Sequence, residues 1–85
     1  MPKSVFNDAY ASVVEKLIAL RKARGVSQVE LAERLGKTQQ FVSYLERAER
    51  RIDIIEFYLI AKALGADPDT LFAELIRDFP SELKI

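Results

Sequence analysis

The chain has 85 residues, a formal net charge of zero and a pI near 6.3. That length supports one domain with a single modest core. It contains no cysteine and no histidine, which excludes a disulfide framework, a thiolate metal site and the commonest general base.

Gly25, Gly36 and Gly65 stand alone, so there is no phosphate-cradling loop. No apolar run approaches membrane-spanning length, and the N-terminal MPKSVFNDAY is not a signal peptide. The expectation is a soluble, cytoplasmic, non-enzymatic chain without metal or cofactor. Charge is uneven along it. Residues 1–51 hold ten Lys or Arg against six Asp or Glu, a balance of +4, and residues 52–85 hold three against seven, a balance of −4. Such a molecule is polarised, and its acidic half is expected to face away from phosphate.

In chain order, Tyr10, Val13, Val14, Leu17 and Leu20 follow three-and-four spacing and predict a helix over Asp8 to Ala23, ended by Gly25. Ser27 caps a second helix, with Glu30 as its capping-box partner. Val29, Ala32 and Leu35 run along one side of it with Leu31 beside them, and Gly36 supplies a left-handed stop. Thr38 caps a third helix that opens on Gln39 and Gln40. Val42, Leu45 and Glu49 share one line of this helix; Gln40, Ser43, Tyr44 and Arg47 share another. Two short capped helices around a glycine turn, with small Ala32 where they cross, have helix-turn-helix spacing.

A fourth helix is expected from Asp53, boxed by Glu56, with Ile55, Leu59, Ile60 and Ala63 as its apolar side and Gly65 as its stop. The fifth starts at Asp67 with Pro68 in its first position. The acids Asp67 and Asp69 are expected to cap its N–H groups and complement its dipole. Leu71, Phe72, Leu75, Ile76 and Phe79 form its face, and Pro80 stops it. Strand signals are absent, so the class is all-α: a compact five-helix domain with its core at 8–79, a short arm at 1–7 and a tail at 80–85.

The runs LIALRKARGVSQVELAERLGKTQQFVSYLERAERRID and IAKALGADPDTLF, from Leu17 to Phe72, resemble the phage-repressor (Xre or Cro-repressor) helix-turn-helix family. That resemblance implies a lambda-repressor-like fold that binds double-stranded DNA. The TQQ at Thr38 is similar to the start of a phage-repressor recognition helix, which makes Gln39, Gln40 and Tyr44 the candidate base readers. Two readings stand for Tyr44, a base or phosphate contact and a ring shielding the helix pair. The resemblance also implies that Gln28 bonds a phosphate and braces Gln39, and that Arg21 and Glu46 pair inside the domain. One departure is Ala48, where the family usually has glycine. An alanine at positive φ is strained by roughly 1 kcal/mol, so helix three is expected to run on or end differently.

Within this motif, a glutamine can bond adenine N6 and N7 together in the major groove. Lys37, Ser43, Arg47, Arg50 and Arg51 are the further phosphate candidates, against the alternative of a self-paired solvated loop. The large apolar residues of the fifth helix exceed what one small domain covers readily. Phe72, Leu75, Ile76 and Phe79 are therefore the expected homodimer interface, with core packing the alternative for Leu71 and Leu75, and Phe6 and Tyr10 could join it. The expected function is a sequence-specific transcriptional regulator, a dimeric repressor or autoregulator of a pseudo-palindromic operator. Two alternatives stay open. One is a DNA-binding antitoxin holding a protein partner through the fifth helix and tail; the other is a protein-interaction module that has lost DNA binding.

Overall fold

Four of the five helices follow from local start signals. The computed structural model describes residues 8–83; the arm at 1–7, with the expected interface residue Phe6, lies outside the described residues. The helices are α1 (Asp8–Ala23), α2 (Gln28–Leu35), α3 (Gln39–Glu46), α4 (Ile54–Ala63) and α5 (Pro68–Ile76). Among the described residues there is no strand, and no helix is long and apolar enough to cross a membrane.

The caps differ in completeness. Ser27 Oγ accepts from the Glu30 N–H at 3.0 Å, but the Glu30 carboxylate accepts from Arg34 at 2.9 Å, so the box closes on one side only. Thr38 Oγ1 accepts from the Phe41 N–H at 3.2 Å. The Asp53–Glu56 box is reciprocal, at 2.7 and 3.0 Å. Asp67 does not cap α5 with its side chain: its carboxylate accepts from the Thr70 hydroxyl at 3.0 Å, while Pro68 removes one N–H that would otherwise need a partner.

The first four helices end in the same way. Each closes with a 6→1 and a 5→2 backbone hydrogen bond around a left-handed residue, the Schellman arrangement. That residue is glycine after α1, α2 and α4 and Ala48 after α3, at φ 58°. The expectation that α3 would end differently is therefore corrected. Ala48 N–H bonds Leu45 C=O at 3.0 Å and Glu49 N–H bonds Tyr44 C=O at 3.2 Å, and these two bonds hold the alanine in the strained region.

Two clusters make the core. Val26, Leu31, Ala32, Val42, Leu45, Ile60 and Leu64 pack the helix-turn-helix against α4. Leu17, Ala61, Leu71 and Leu75 join α1 and α5 to the other side of α4. Thus α4 is a wall shared by both clusters, with Ile60 and Leu64 facing one and Ala61 the other.

That position corrects the expected apolar side of α4. Ile55 and Leu59 are exposed, and Phe57, Ile60, Ala61 and Leu64 turn inward. On α2, Val29 is exposed, and Leu31 and Ala32 carry the packing. The fifth helix stops at Ile76, short of Pro80, so Phe79 lies in the turn beyond it. Leu75 is buried in the core at 2% exposure and is not available as an interface residue.

Candidate nucleic-acid interface

The turn between α2 and α3 sets the presentation of α3. Gly36 takes φ 69°, and the Lys37 N–H returns to Ala32 C=O at 2.9 Å. A side chain at that φ would be strained, although nothing lies within 4 Å of where a Cβ would stand. Val42 and Leu45 bury the inner face of α3, which leaves Gln39, Gln40 and Tyr44 on the outside.

A line of polar side chains ties this outer face to the interior. Arg21 is 7% exposed and donates to Glu46 through Nε at 2.6 Å and Nη2 at 3.0 Å. Its Nη1 donates to Val26 C=O at 2.8 Å, so the guanidinium also fixes the chain leaving α1. Gln28 Nε2 donates to Glu46 Oε1 at 2.8 Å, and Gln28 Oε1 accepts from Gln39 Nε2 at 3.2 Å. Four residues from α1, α2 and α3 thus form one chain of hydrogen bonds that ends at the exposed start of α3. Removing one partner of a buried ion pair such as Arg21–Glu46 typically costs about 3–5 kcal/mol.

The cations around α3 have mixed environments. Arg47 donates to the Ser43 hydroxyl, pairs with Glu49 at 2.9 Å and lies 5.3 Å over the Tyr44 ring. Arg50 makes a forked pair with Glu56 at 2.9 and 3.0 Å. The hydrogen bond from Arg47 holds the Glu49 carboxyl below the usual carboxylate range, and the one from Arg50 does the same to Glu56. Arg47 and Arg50 are therefore partly neutralised within the chain. Arg51 lies 5.5 Å over the Tyr10 ring, and Lys37 sits 5.3 Å over Phe41 in the turn.

Two side chains contribute in ways the sequence did not indicate. Phe41 carries Lys37 on its ring and Arg50 at the same 5.3 Å distance, and so gathers two cations beside α3. The Tyr10 hydroxyl donates to Arg50 C=O at 2.9 Å and accepts from the Ile52 N–H at 3.1 Å, which pins the loop between α3 and α4 to α1. Burial raises the Tyr10 pKa. Tyr10 was expected in the helix-one stripe or at the dimer interface, and nothing in the sequence pattern pointed to its bonds with the 50–52 loop.

A helix-turn-helix family model matches residues 17–71, which spans both helices of the motif and most of the remaining bundle. The chain belongs to the Xre-type helix-turn-helix family. An XRE-family-like protein from Pseudomonas syringae is 43% identical, with a TM-score of 0.79 over 85% of this chain and 88% of that one. The clp gene regulator ClgR from C. glutamicum shares the fold at 23% identity, with a TM-score of 0.73 over 87% of this chain and 96% of that one. An HTH-type transcriptional regulator of Sinorhizobium fredii is 44% identical over 46 residues, covering 54% of this chain and 60% of that protein. One from Rickettsia prowazekii is 38% identical over 61 residues, covering 72% of this chain and 47% of its own length. The Xre-type chain thus spans about half to three fifths of these curated relatives.

Away from α3, the Xre domain carries a second surface feature. An apolar cleft of about 800 Å³ lies between α1, α4 and α5, lined by Tyr10, Val13, Phe57, Phe72, Ile76 and Phe79 among others. Phe72 is half exposed and meets Phe57 edge-on at 6.0 Å. Of the expected interface residues, Tyr10, Phe72, Ile76 and Phe79 line this cleft with part of their surface open, and Leu75 lies at its buried floor.

Proposed function

We propose that the chain is a sequence-specific transcriptional regulator that lays α3 in the major groove of double-stranded DNA. The observation that carries this reading is the exposed Gln39–Gln40 pair in the first turn of α3, with Gln39 braced by Gln28. Each amide offers the donor and acceptor that adenine's major-groove edge requires. Tyr44 extends the readout by one turn. Gln28, Lys37, Ser43, Arg47, Arg50 and Arg51 flank α3 and contact phosphate, which fixes register without reading sequence.

A single small domain reads few base pairs. Pairing two copies through the cleft of Phe72, Ile76 and Phe79 doubles the contacts and matches a pseudo-palindromic operator. The chain acts as a repressor or autoregulator in this reading, in the cytoplasm and without a cofactor.

A second reading has its own support. The internal pairing of Arg47 with Glu49 and Arg50 with Glu56, together with zero net charge, suits a protein-interaction module that has lost DNA binding. A third, the antitoxin, differs from the regulator in holding a protein partner on the same cleft.

Selection of bound duplexes from a random pool is the test. A palindromic product is expected, and Gln39→Ala and Gln40→Ala should each weaken binding to it by about 1–3 kcal/mol while leaving random duplex nearly unaffected. Arg47→Ala, Arg50→Ala or Arg51→Ala should lower the slope of log K against log salt by about 0.9 for each lost phosphate contact. No salt-dependent binding to any duplex favours the interaction module instead.

A further inference from the structure

We infer that Tyr10 is a positioning residue that presents Arg51 to a phosphate of the DNA backbone. This rests on the proposed phosphate contact of Arg51. The Tyr10 hydroxyl donates to Arg50 C=O at 2.9 Å and accepts from the Ile52 N–H at 3.1 Å. Those two groups belong to the peptide units immediately before and after Arg51. The Arg51 guanidinium lies 5.5 Å over the ring of the same tyrosine. One side chain from the first turn of α1 thus holds both the backbone and the charge of one arginine.

Arg50 completes the clamp. Its Nη1 donates to Arg51 C=O at 3.1 Å, and its fork to Glu56 closes at 2.9 and 3.0 Å. Glu56 Oε1 also accepts from the Asp53 N–H at 3.0 Å. The backbone around Arg51 is therefore tied to α1 through Tyr10 and to α4 through Glu56. An untied loop loses freedom when it meets a ligand, and that loss weakens binding. Here the backbone is ordered beforehand.

The kind of contact suits the task. A ring face offers no lone pair, so the contact with Tyr10 orients the charge of Arg51 without drawing on its N–H groups as a carboxylate would. Arg51 is exposed, so a phosphate can reach it. Loss of the Tyr10 hydroxyl releases the peptide units on both sides of Arg51 at once, yet it removes no charge from the chain. Its effect on DNA binding is therefore expected only where Arg51 is present to use the support.

The test measures binding of the full chain to the selected duplex and to a random duplex across a salt series. Tyr10 and Arg51 also line the apolar cleft, so sedimentation counts the chains bound in each case. Arg51→Ala should lower the slope of log K against log salt by about 0.9 for each chain bound. Tyr10→Phe keeps the ring and the net charge, and it should give more than half of that drop. Both variants should weaken the two duplexes alike and hold their affinity ratio within about twofold, because a phosphate contact carries no sequence information. In the Arg51→Ala background, Tyr10→Phe should change neither slope nor affinity. Tyr10 belongs to neither core cluster, so the phenylalanine variant is expected to fold, and a circular-dichroism melt checks this. If it does not fold, the same series is run with Ala48→Gly as the parent.

Arg51→Ala separates the phosphate contact from its support. If it keeps the wild-type slope, Arg51 meets no phosphate and the underlying reading fails, and the role of Tyr10 with it. If Arg51→Ala lowers the slope and Tyr10→Phe keeps it, the phosphate contact stands and the positioning role is overturned. An equal loss from Tyr10→Phe with and without Arg51 overturns it as well, since the hydroxyl then acts on the fold and not through the arginine.

Discussion

The methyl group of Ala48 occupies backbone space that l-residues avoid, with φ at 58°. An alanine there is disfavoured by about 1–2 kcal/mol, and glycine at the same place gives back about 0.4–1 kcal/mol through the greater freedom of its unfolded chain. Ala48→Gly should therefore stabilise the domain by roughly 0.5–1 kcal/mol, a rise of a few degrees in Tm for a chain of this size. Thermal melts of the two proteins are the check, and an unchanged or lower midpoint would show that no strain is held there. A second expectation concerns Glu56. Its folded carboxyl lies below the ordinary 4.5, chiefly through the Arg50 hydrogen bond, so the folded state binds fewer protons than the unfolded chain at mildly acid pH. That contribution is complete at neutral pH and is lost as pH falls through the folded-state value. The stability gap between wild type and Glu56→Gln should be widest near pH 7 and should close in acid below 4.5, as urea titrations at several pH values would reveal. A gap that stays constant with pH would exclude the ion pair as its source. At this scale the sequence was informative where a signal is local. Ser27, Thr38 and Asp53 each bond an N–H three residues on, so position alone identifies them. The bond between Gln28 and Gln39 spans 11 residues and is anticipated only through the family resemblance, and the one from Gln28 to Glu46, over 18 residues, has no signal in the sequence.

Helices were legible as elements, and their inward faces less so. In α1 the spacing of Val14 and Leu17 identified the buried side, because polar residues separate the apolar ones. In α4 the run IIEFYLIAKA is apolar on nearly every side, so period alone chooses no register. Its true orientation depends on two packing partners, the helix-turn-helix that precedes it and the α1–α5 pair on its other side. The contrast gives a direct test. Leu59→Gln changes a residue that is 46% exposed and should alter stability by no more than about 0.5 kcal/mol. Ile60→Ala opens a hole beneath the helix-turn-helix and should cost about 2–5 kcal/mol. Denaturant midpoints measure both; similar losses would mean that the face of α4 is wrongly assigned. The last turn of α5 departs from the sequence expectation for a related reason. Pro80 marks where a helix has to have stopped, but α5 already leaves helical bonding after Ile76.

For the molecule as a whole, the proposed pairing makes a graded prediction across three neighbouring residues. Ile76→Asp and Phe79→Asp alter the open cleft and should leave folded monomers with weakened operator affinity and unchanged Gln39 and Gln40. Leu75→Asp instead buries a carboxylate among Leu17, Ala61 and Leu71, and should unfold the chain. Sedimentation at micromolar concentration distinguishes dimer from monomer, and in the dimer the two α3 helices should lie about 34 Å apart, one duplex turn. A wild-type chain that sediments as a monomer and binds a half-site as tightly as the full palindrome would remove the dimer from the proposal. The sequence could flag the excess apolar surface on the fifth helix and leave core packing open for Leu75, but it could not choose between core and interface there. That division depends on the rotation of α5 against α1, a tertiary quantity.

Because α4 closes both clusters, neither half of the core has an independent floor. Opening the α1–α5 side exposes Ala61, and opening the helix-turn-helix side exposes Ile60 and Leu64 on the same two turns of helix. Fluctuations that free the DNA-facing motif alone are therefore suppressed, and the domain should melt in one step. In the proposed reading, the surface that meets DNA is thus braced by a helix that stays outside the groove.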